Sequence, residues 1–269
     1  MLLAVDIGNT NIKVGAWDGD QLIVVSAMHT NVLRTADEYA ARLLDVFRLH
    51  SCNGAQFDAA MISNVVPPLS SVLTAAGAQV IQSNRVYLAA PTMESGLEIA
   101  VDSPATLGPD LVCAAAAVAK KMPLPCVMIG LGTANIIFAI DKDSRLTGGA
   151  VGPGVSISID ALANRTAQLP HISLENPGPL IGKNTVDCMK SGIIYGTACM
   201  LDGMIGRMRE ELEGDLHAVA FGGLARGIIP YCRETITLDD TLVLEGLKII
   251  YEKNMQTLLG QSDATTRRR

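Results

Sequence analysis

The sequence predicts an α/β fold in which one unit of β-β-β-α-β-α-β-α order occurs twice, giving two domains around a central nucleotide cleft. The first unit opens with a strand from Leu2, a Gly-containing turn, a second strand, an Asp-Gly turn at 18–20 and a third strand. From Cys126 the same order returns as strand, Gly-Thr turn, strand, Asp-rich turn and strand. An internal duplication is the simplest account. It predicts domains at 1–118 and 119–261, followed by a disordered basic tail at 262–269.

Composition narrows the class of protein. The 269 residues are 49% hydrophobic with a mean hydropathy of +0.30, enough to bury two modest cores. The longest apolar run, Cys126 to Ile140, is interrupted by Gly and polar residues, so no membrane span is predicted. A strand-like start at residue 2 without a basic leader favours the cytoplasm. The formal net charge of -6 argues against nonspecific nucleic-acid binding. The six cysteines form no C-x-x-C pair and are expected to be reduced thiols.

The remaining helices and strands of the first domain are predicted from helix-capping residues, prolines and hydrophobic patterns. Thr35 and Glu38 have the spacing of a capping box and predict a helix to about Leu49. A buried strand is expected at 59–63, a helix start at the paired prolines 67–68, and a further strand at 78–81. A polar start and an alanine-rich body predict a helix over 104–121.

The second domain follows the same logic. Helices are predicted at 155–165 and 185–212, and the small residues of the longer helix allow close approach of a neighbour, within the chain or in a second copy. A buried strand at 216–221 ends in Gly222-Gly223 and a helix begins after it. A short strand at 235–238 and a terminal helix at 242–259 close the domain.

Three glycine-containing loops are candidates for one nucleotide site: residues 6–13, 130–135 and 222–223. In the first, Gly8 lets the backbone approach a ligand and Asp6 can hold a hydrated Mg²⁺. An ordinary hairpin explains that spacing equally well. At equivalent positions of a duplicated fold, however, the three loops together favour phosphate binding. This architecture resembles the duplicated ribonuclease H-like fold of the actin and sugar-kinase superfamily.

Seven motifs in order make the resemblance narrower: the chain resembles the type III pantothenate kinases, or Bvg accessory factor family, along nearly its whole length. The matching segments read D-I-G-N-T-N at 6–11, S-N-V-V-P-P at 63–68, G-G-A-V-G-P-G at 148–154, A-Q-L-P at 167–170, G-K-N-T at 182–185, S-G-I-I-Y-G at 191–196 and G-G-L-A at 222–225.

The resemblance implies a cytoplasmic homodimer that transfers the γ-phosphate of ATP to pantothenate, with Mg²⁺ and a monovalent cation, K⁺ or NH₄⁺. It implies Asp110 as general base and Asp6 as the metal ligand. The ATP site would comprise Asp6, Gly8, Asn9, Thr10, Asn11, Lys13, Gly132, Thr133, Gly222 and Gly223. The pantothenate site would comprise Gly108, Pro109, Asp110, Leu111 and Thr185. Asp110 can also be interpreted as a simple first-turn acid of its helix.

Departures from the family pattern cluster in the acceptor and cation motifs. The family's G-x-D-R ends here in Leu111, so an expected Arg is absent. The family's D-x-G-T-A-T begins here with Gly130, which removes the carboxylate expected to bind the monovalent cation, and ends with Asn135. Val101 occupies the position of a Tyr in the family pattern, and Phe221 occupies the position of the Thr in T-G-G-L-A. The donor loop at residues 6–13 is intact.

Three hypotheses follow from this pattern. The first is an active type III pantothenate kinase with a variant acceptor site. The second is a non-catalytic or partner-dependent paralogue, a nucleotide-binding subunit or regulator of a heteromeric pantothenate kinase whose partner chain supplies the missing Arg and Asp. The third is a kinase for a less acidic acceptor, since Leu111 makes that wall apolar. Because Asp6 and Asp110 are both present, the first is preferred.

Overall fold

The computed structural model describes residues 1–52, 56–175 and 177–266. Its internal contacts group the chain into two compact units. The first comprises Met1–Leu97, Asp102–Ala117 and the residues from Thr241 on; the second comprises Glu98–Val101 and Val118–Asp240. The terminal helix thus groups with the first unit, whereas the repeated element order in the sequence predicts a C-terminal domain that runs to residue 261.

The first unit is built on a five-stranded sheet of order β3-β2-β1-β4-β5. β1 pairs antiparallel with β2 and parallel with β4, so it lies at the centre of the sheet and is apolar on both faces. The strands are β1 Leu2–Ile7, β2 Asn11–Asp18, β3 Gln21–His29, β4 Ala59–Asn64 and β5 Val86–Leu88. The helices are α1 Ala36–Leu49, α2 Ser70–Ile81, α3 Pro109–Lys121, which runs across the boundary between the units, and α7 Leu242–Thr266.

The core of the first unit lies between this sheet and two helices. Leu3, Val5 and Ile7 alternate along β1 and are almost fully buried. They share a cluster with Leu43 of α1 and Leu73 of α2. Burial of each such side chain stabilises the fold by about 1.5 to 3 kcal/mol. The rigid part of this unit is therefore the sheet that carries the loop at residues 6–13.

The second unit repeats the order of the first. Its six-stranded sheet has the order β11-β10-β7-β8-β9-β6, with β7, β8 and β9 antiparallel and β10 parallel to β7. The strands are β6 Glu98–Ile99, β7 Cys126–Leu131, β8 Ala134–Ile140, β9 Arg145–Pro153, β10 His217–Phe221 and β11 Thr237–Leu238. The helices are α4 Val155–Arg165, α5 Thr185–Glu211 and α6 Ala225–Ile228. One face of the sheet packs against α4 and α5 through residues such as Ile129, Ile159 and Leu201.

One predicted strand is wrong in detail. Residues 78–81 are the last turn of α2, and the strand follows at Val86–Leu88. Leu69, Leu73, Ala76 and Val80 continue the helical spacing of buried residues, so packing outweighs the strand preference of Val80-Ile81. The terminal helix also extends to Thr266, into the predicted disordered tail. Residues 267–269 of that tail lie outside the described residues.

Among the residues that the structure describes, no helix has both the length and the apolar run that crossing a bilayer requires.

Candidate active site

The turn between β1 and β2 is held by a short set of backbone contacts. The Gly8 N–H donates to the Asn11 carbonyl at 3.1 Å, and the Thr30 hydroxyl and N–H donate to the carbonyls of Gly8 and Thr10 at 2.6 and 2.9 Å. A Cβ atom at Gly8 would lie 3.0 Å from the Asn11 carbonyl oxygen, which is why the turn uses glycine. Asn9 is exposed at the tip, as are Thr10 and Asn11. The turn therefore presents polar groups to solvent on a fixed backbone.

Asp6 lies near the end of β1 with an incompletely satisfied carboxylate. It pairs with Lys13 across β2 and with Ser63 across β4. Its Oδ1 and the Ser63 hydroxyl are buried, and neither forms a hydrogen bond of ordinary length among the described residues, although the hydroxyl lies close enough to act on the carboxyl group. Burial raises the pKa of Asp6 to about 7, with the charge of Asp110 adding to the rise and Lys13 and Ser63 opposing it. A buried oxygen left open in this way fits a ligand for a hard cation.

Asp110 lies in the first turn of α3, where local geometry holds its carboxylate. The Leu111 N–H donates to Asp110 Oδ1 at 2.8 Å. A Cβ atom at Gly108 would collide with the same oxygen, so the glycine two residues earlier makes room for the carboxylate. Burial raises the pKa of Asp110, and the backbone N–H groups of Leu111 and Asp110 partly offset this. Since its charge also raises the pKa of Asp6, the first unit brings two half-buried carboxyl groups together.

The second unit places its own loops at the end of β7. The Gly132 N–H donates to the Ala134 carbonyl at 3.2 Å, and the Gly154 N–H donates to the Thr133 carbonyl at 3.1 Å. Gly222 has a φ of +105°, and a Cβ atom there would collide with the Leu131 carbonyl. At Gly223, no heavy atom among the described residues lies within 4 Å of the position that a Cβ atom would take. The predicted nucleotide residues of this unit are therefore gathered at one edge of its sheet.

Gly130 is buried within β7 and has a direct neighbour on each side. It pairs with Ile136 of β8 and with Phe221 of β10. A Cβ atom at Gly130 would lie 2.6 Å from Ile136 Cγ1 and 3.1 Å from Phe221 Cζ. These two hydrocarbon side chains fill the space that a larger residue at 130 would need.

Comparison with known proteins decides the family. A sequence profile of the type III pantothenate kinases matches residues 2–207. The chain belongs to the type III pantothenate kinase family. It is 36% identical to the type III pantothenate kinase of Exiguobacterium sp. (strain ATCC BAA-1283 / AT1b) over 95% of this chain and 100% of the relative. It is 39% identical to that of Rubrobacter xylanophilus over 94% of this chain and 98% of the relative.

A solved structure supports the fold prediction. The activator of 2-hydroxyisocaproyl-CoA dehydratase from Clostridium difficile, solved with bound ADPNP, matches with a TM-score of 0.55 at 12% identity. The match covers 95% of this chain and 96% of that chain. Together with the repeated strand order of the two sheets, it confirms the predicted duplicated ribonuclease H-like fold.

Within this pantothenate kinase family, Leu111 is the departure closest to Asp110. Its side chain is only 5% exposed and is therefore part of the packed interior of the first unit. No cationic side chain is among the groups that shift the pKa of Asp110 in the described chain. The carboxylate is thus held by the backbone at the start of α3 and has no Arg partner at the family position.

The predicted site residues fall into two groups, one in each unit. Asp6, Lys13 and Asp110 belong to the first, and the loops at 132–133 and 222–223 belong to the second. Thr185 is the first residue of α5, directly after the Asn184 side chain that accepts from the Asp187 N–H and caps the helix. That the two groups face one another across a cleft stays a prediction.

The structure adds residues that the sequence analysis did not assign to the site. Ser63 is fully buried beside Asp6, and Cys113 is fully buried one turn after Asp110. Burial raises the pKa of the Cys113 thiol well above its usual value, and the charges of Asp6 and Asp110 add to the rise. Ser63 could have been found from the expected parallel pairing of the strands that end at residues 7 and 64, and Cys113 from its i+3 spacing.

Proposed function

We propose that this chain transfers the γ-phosphoryl group of ATP to the hydroxyl of pantothenate, forming 4'-phosphopantothenate in the first committed step of coenzyme A synthesis. Membership of the type III pantothenate kinase family supports this activity. The single structural observation that carries it is the pair of half-buried carboxyl groups, Asp6 and Asp110, in the unit that also holds the glycine turn. Phosphoryl transfer asks the protein mostly for positioning, charge neutralisation and one base.

Asp110 is proposed as the general base. Its carboxylate accepts the proton of the pantothenate hydroxyl as that oxygen bonds to the γ-phosphorus and the bond to the β,γ-bridging oxygen breaks. Burial raises its pKa towards the range in which proton acceptance is efficient near neutral pH. The Leu111 N–H keeps one carboxylate oxygen in place, so the reacting group is oriented before substrate binds.

Asp6 is proposed to hold Mg²⁺. The residues fit that ion because the buried Oδ1 of Asp6 has no protein partner in the described chain. Across residues 1–52, 56–175 and 177–266, no group of three or more His, Cys, Asp or Glu side chains is arranged to hold a metal. One carboxylate suffices, since Mg²⁺ commonly keeps waters and takes its other ligands from substrate phosphates. When bound, the ion supplies positive charge to the phosphate oxygens.

The remaining predicted residues are assigned to substrate binding. The ATP phosphates are proposed to contact the turn around Gly8 and the polar side chains Asn9, Thr10, Asn11 and Lys13, together with the loops that contain Gly132, Thr133, Gly222 and Gly223. Pantothenate is proposed to lie against Gly108, Pro109, Leu111 and Thr185. Because Leu111 is uncharged, we expect a raised KM for pantothenate: loss of a charge-assisted contact costs about 1.5 to 3 kcal/mol.

ADP formation by the purified chain with Mg·ATP tests the proposal. We expect turnover that depends on pantothenate and that exceeds turnover with a panel of other small alcohols. A less acidic alcohol as the best acceptor would replace pantothenate in the proposal. Absence of turnover alone, restored by mixing with a second kinase-like chain, would replace it with the partner-dependent hypothesis. The protein that carries Asp110→Asn is the blank for contaminating kinases.

We also infer from the family resemblance that the chain acts in the cytoplasm as a homodimer. Light scattering on a size-exclusion column measures its mass directly. A mass of about twice the 28.3 kDa of one chain is expected, and a monomer at assay concentration would contradict the inference.

A further inference from the structure

Three residues form a row across neighbouring strands of the second unit. Phe221 of β10 lies opposite Gly130 of β7, which in turn lies opposite Ile136 of β8. Directly paired residues point to the same face of a sheet. The row therefore places one aromatic and one aliphatic side chain on either side of a position that has no side chain.

The side chains of Ile136 and Phe221 fill the space next to Gly130. A Cβ atom on Gly130 would lie 2.6 Å from Ile136 Cγ1, 3.0 Å from Ile136 Cδ1 and 3.1 Å from Phe221 Cζ. The 2.6 Å distance is shorter than real Cβ contacts, the other two are tighter than most, and all three nearest atoms are hydrocarbon. A carboxylate could not start from residue 130 unless both neighbours moved.

The row coincides with the place where the family resemblance expects a monovalent cation. Such a cation loses part of its hydration shell on binding and needs carboxylate, carbonyl or hydroxyl oxygens in exchange. Here two changes remove them together: Gly130 lacks the carboxylate, and Phe221 carries a ring where the family motif has a Thr hydroxyl. The two changes are complementary in volume, because the ring and Ile136 occupy the space beside the glycine.

Asn135, the nearest polar residue that departs from the family motif, does not supply an oxygen ligand to this row. Asn135 precedes Ile136 on β8, so its side chain points to the opposite face of the sheet. Its Nδ2 donates to the Pro153 carbonyl at 3.1 Å, and its buried Oδ1, which has no hydrogen-bond partner among the described residues, lies on that opposite face and outside the row. The residues present therefore do not fit a monovalent cation at this row.

We infer that this chain binds its nucleotide, and performs the proposed phosphoryl transfer, without the monovalent cation that its family resemblance implies. The part of the inference that concerns turnover rests on the proposed function. The part that concerns nucleotide binding does not.

The test compares KCl and NH₄Cl with choline chloride at equal ionic strength, with ATP supplied as its Tris salt. The rate of pantothenate-dependent ADP formation and the Kd of Mg·ADP, measured by calorimetry, are recorded in each salt. A family member with Asp at the position of Gly130 serves as the matched control. We expect this chain to differ by less than about threefold between salts in both quantities, a free-energy difference too small for a specific ion site.

The outcomes separate the inference from the proposed function. A K⁺ or NH₄⁺ stimulation of either quantity by about threefold or more, absent with choline, would overturn the inference. If no turnover appeared in any salt, the proposed function would fail, and the Kd of Mg·ADP would still decide the inference. If Mg·ADP did not bind in any salt, the claim of cation-independent binding would itself be overturned.

Discussion

The carboxylate pair of the first unit matches the family pattern, whereas the Gly130 row of the second unit departs from it. At Asp6, the Oδ1 atom is buried and without a hydrogen-bond partner among the described residues, and Leu111 next to Asp110 stands where the family resemblance expects an Arg. In the Gly130 row itself no side chain is polar, and Ile136 and Phe221 flank the glycine. An unsatisfied buried carboxylate destabilises a fold, whereas a filled hydrocarbon row stabilises it.

This difference indicates which part of the chemistry the chain retains. A buried carboxylate without a function is easily replaced by an apolar residue. Asp6 instead keeps an open oxygen beside the fully buried Ser63, at a cost in stability. We interpret the first unit as the part that still meets a metal and reacting groups, and the Gly130 row as structural packing.

The largest expected effect comes from removing the base. Asp110→Asn keeps the size of the side chain and the acceptor for the Leu111 N–H, but it cannot take a proton. We expect kcat to fall by about 10² to 10⁴. Urea unfolding of the same variant should show no loss of stability, because an amide replaces a buried carboxylate. An unchanged kcat would show that the carboxylate pair is structural, like the Gly130 row.

The next effect is a dependence of stability on pH that originates at Asp6. Its pKa is about 7 in the folded chain and 3.8 in the reference state, so the folded chain holds the proton more tightly. The free energy of unfolding should therefore fall as pH rises from about 4 to about 7, by at most about 4 kcal/mol at about 1.4 kcal/mol per pKa unit. The raised pKa of Asp110 acts in the same direction.

Urea unfolding at a series of pH values in this window measures the slope, and Asp6→Asn should remove most of it. The matched control is Asp45→Asn, which changes a carboxylate of α1 whose side chain is 68% exposed and should keep the slope. Equal slopes in the Asp6→Asn variant and the unmodified chain would show that Asp6 is not the buried acid of this site.

The Gly130 row predicts a loss of stability from adding one methyl group. Gly130→Ala places a Cβ atom 2.6 Å from Ile136 Cγ1 and should lower the free energy of unfolding by about 1 to 3 kcal/mol. Gly152→Ala is the matched control: Gly152 belongs to β9 of the same sheet, and nothing lies within 4 Å of its Cβ position. Equal stabilities of the two variants would mean that the row is not closed.

Much of the fold could be predicted because its signals are local. The Asp18-Gly19 turn, where Gly19 has a φ of +54°, and the Thr35–Glu38 capping box both lie where the sequence analysis put them. The strand predicted at 78–81 failed because Val80 and Ile81 favour a strand locally but complete a buried helix face. The grouping of α7 with the first unit depends on tertiary contacts that no local pattern encodes.

In the candidate site, too, the residue types could be predicted from the sequence, but the tertiary contacts could not. The motifs identified Asp6, Asp110 and the missing carboxylate at position 130, because residue types can be read directly from the sequence. Spacing could not show that Ile136 and Phe221 close on Gly130, since that depends on the register of three strands. Nor could it show that Leu111 is buried in the first unit.

The smallest expected effect tests whether the row acts as one packed unit. Ile136→Val alone removes a methyl group from a half-buried side chain and should cost about 0.5 to 1.5 kcal/mol. In the Gly130→Ala background it also removes an atom that crowds the new Cβ, so the double variant should be more stable than the sum of the single effects predicts, by about 1 kcal/mol. A Gly152→Ala and Ile136→Val pair should be additive, because nothing lies within 4 Å of the Cβ position of Gly152. Additivity in both pairs would mean that the side chains beside Gly130 yield freely, and space at the row would then be available to an ion.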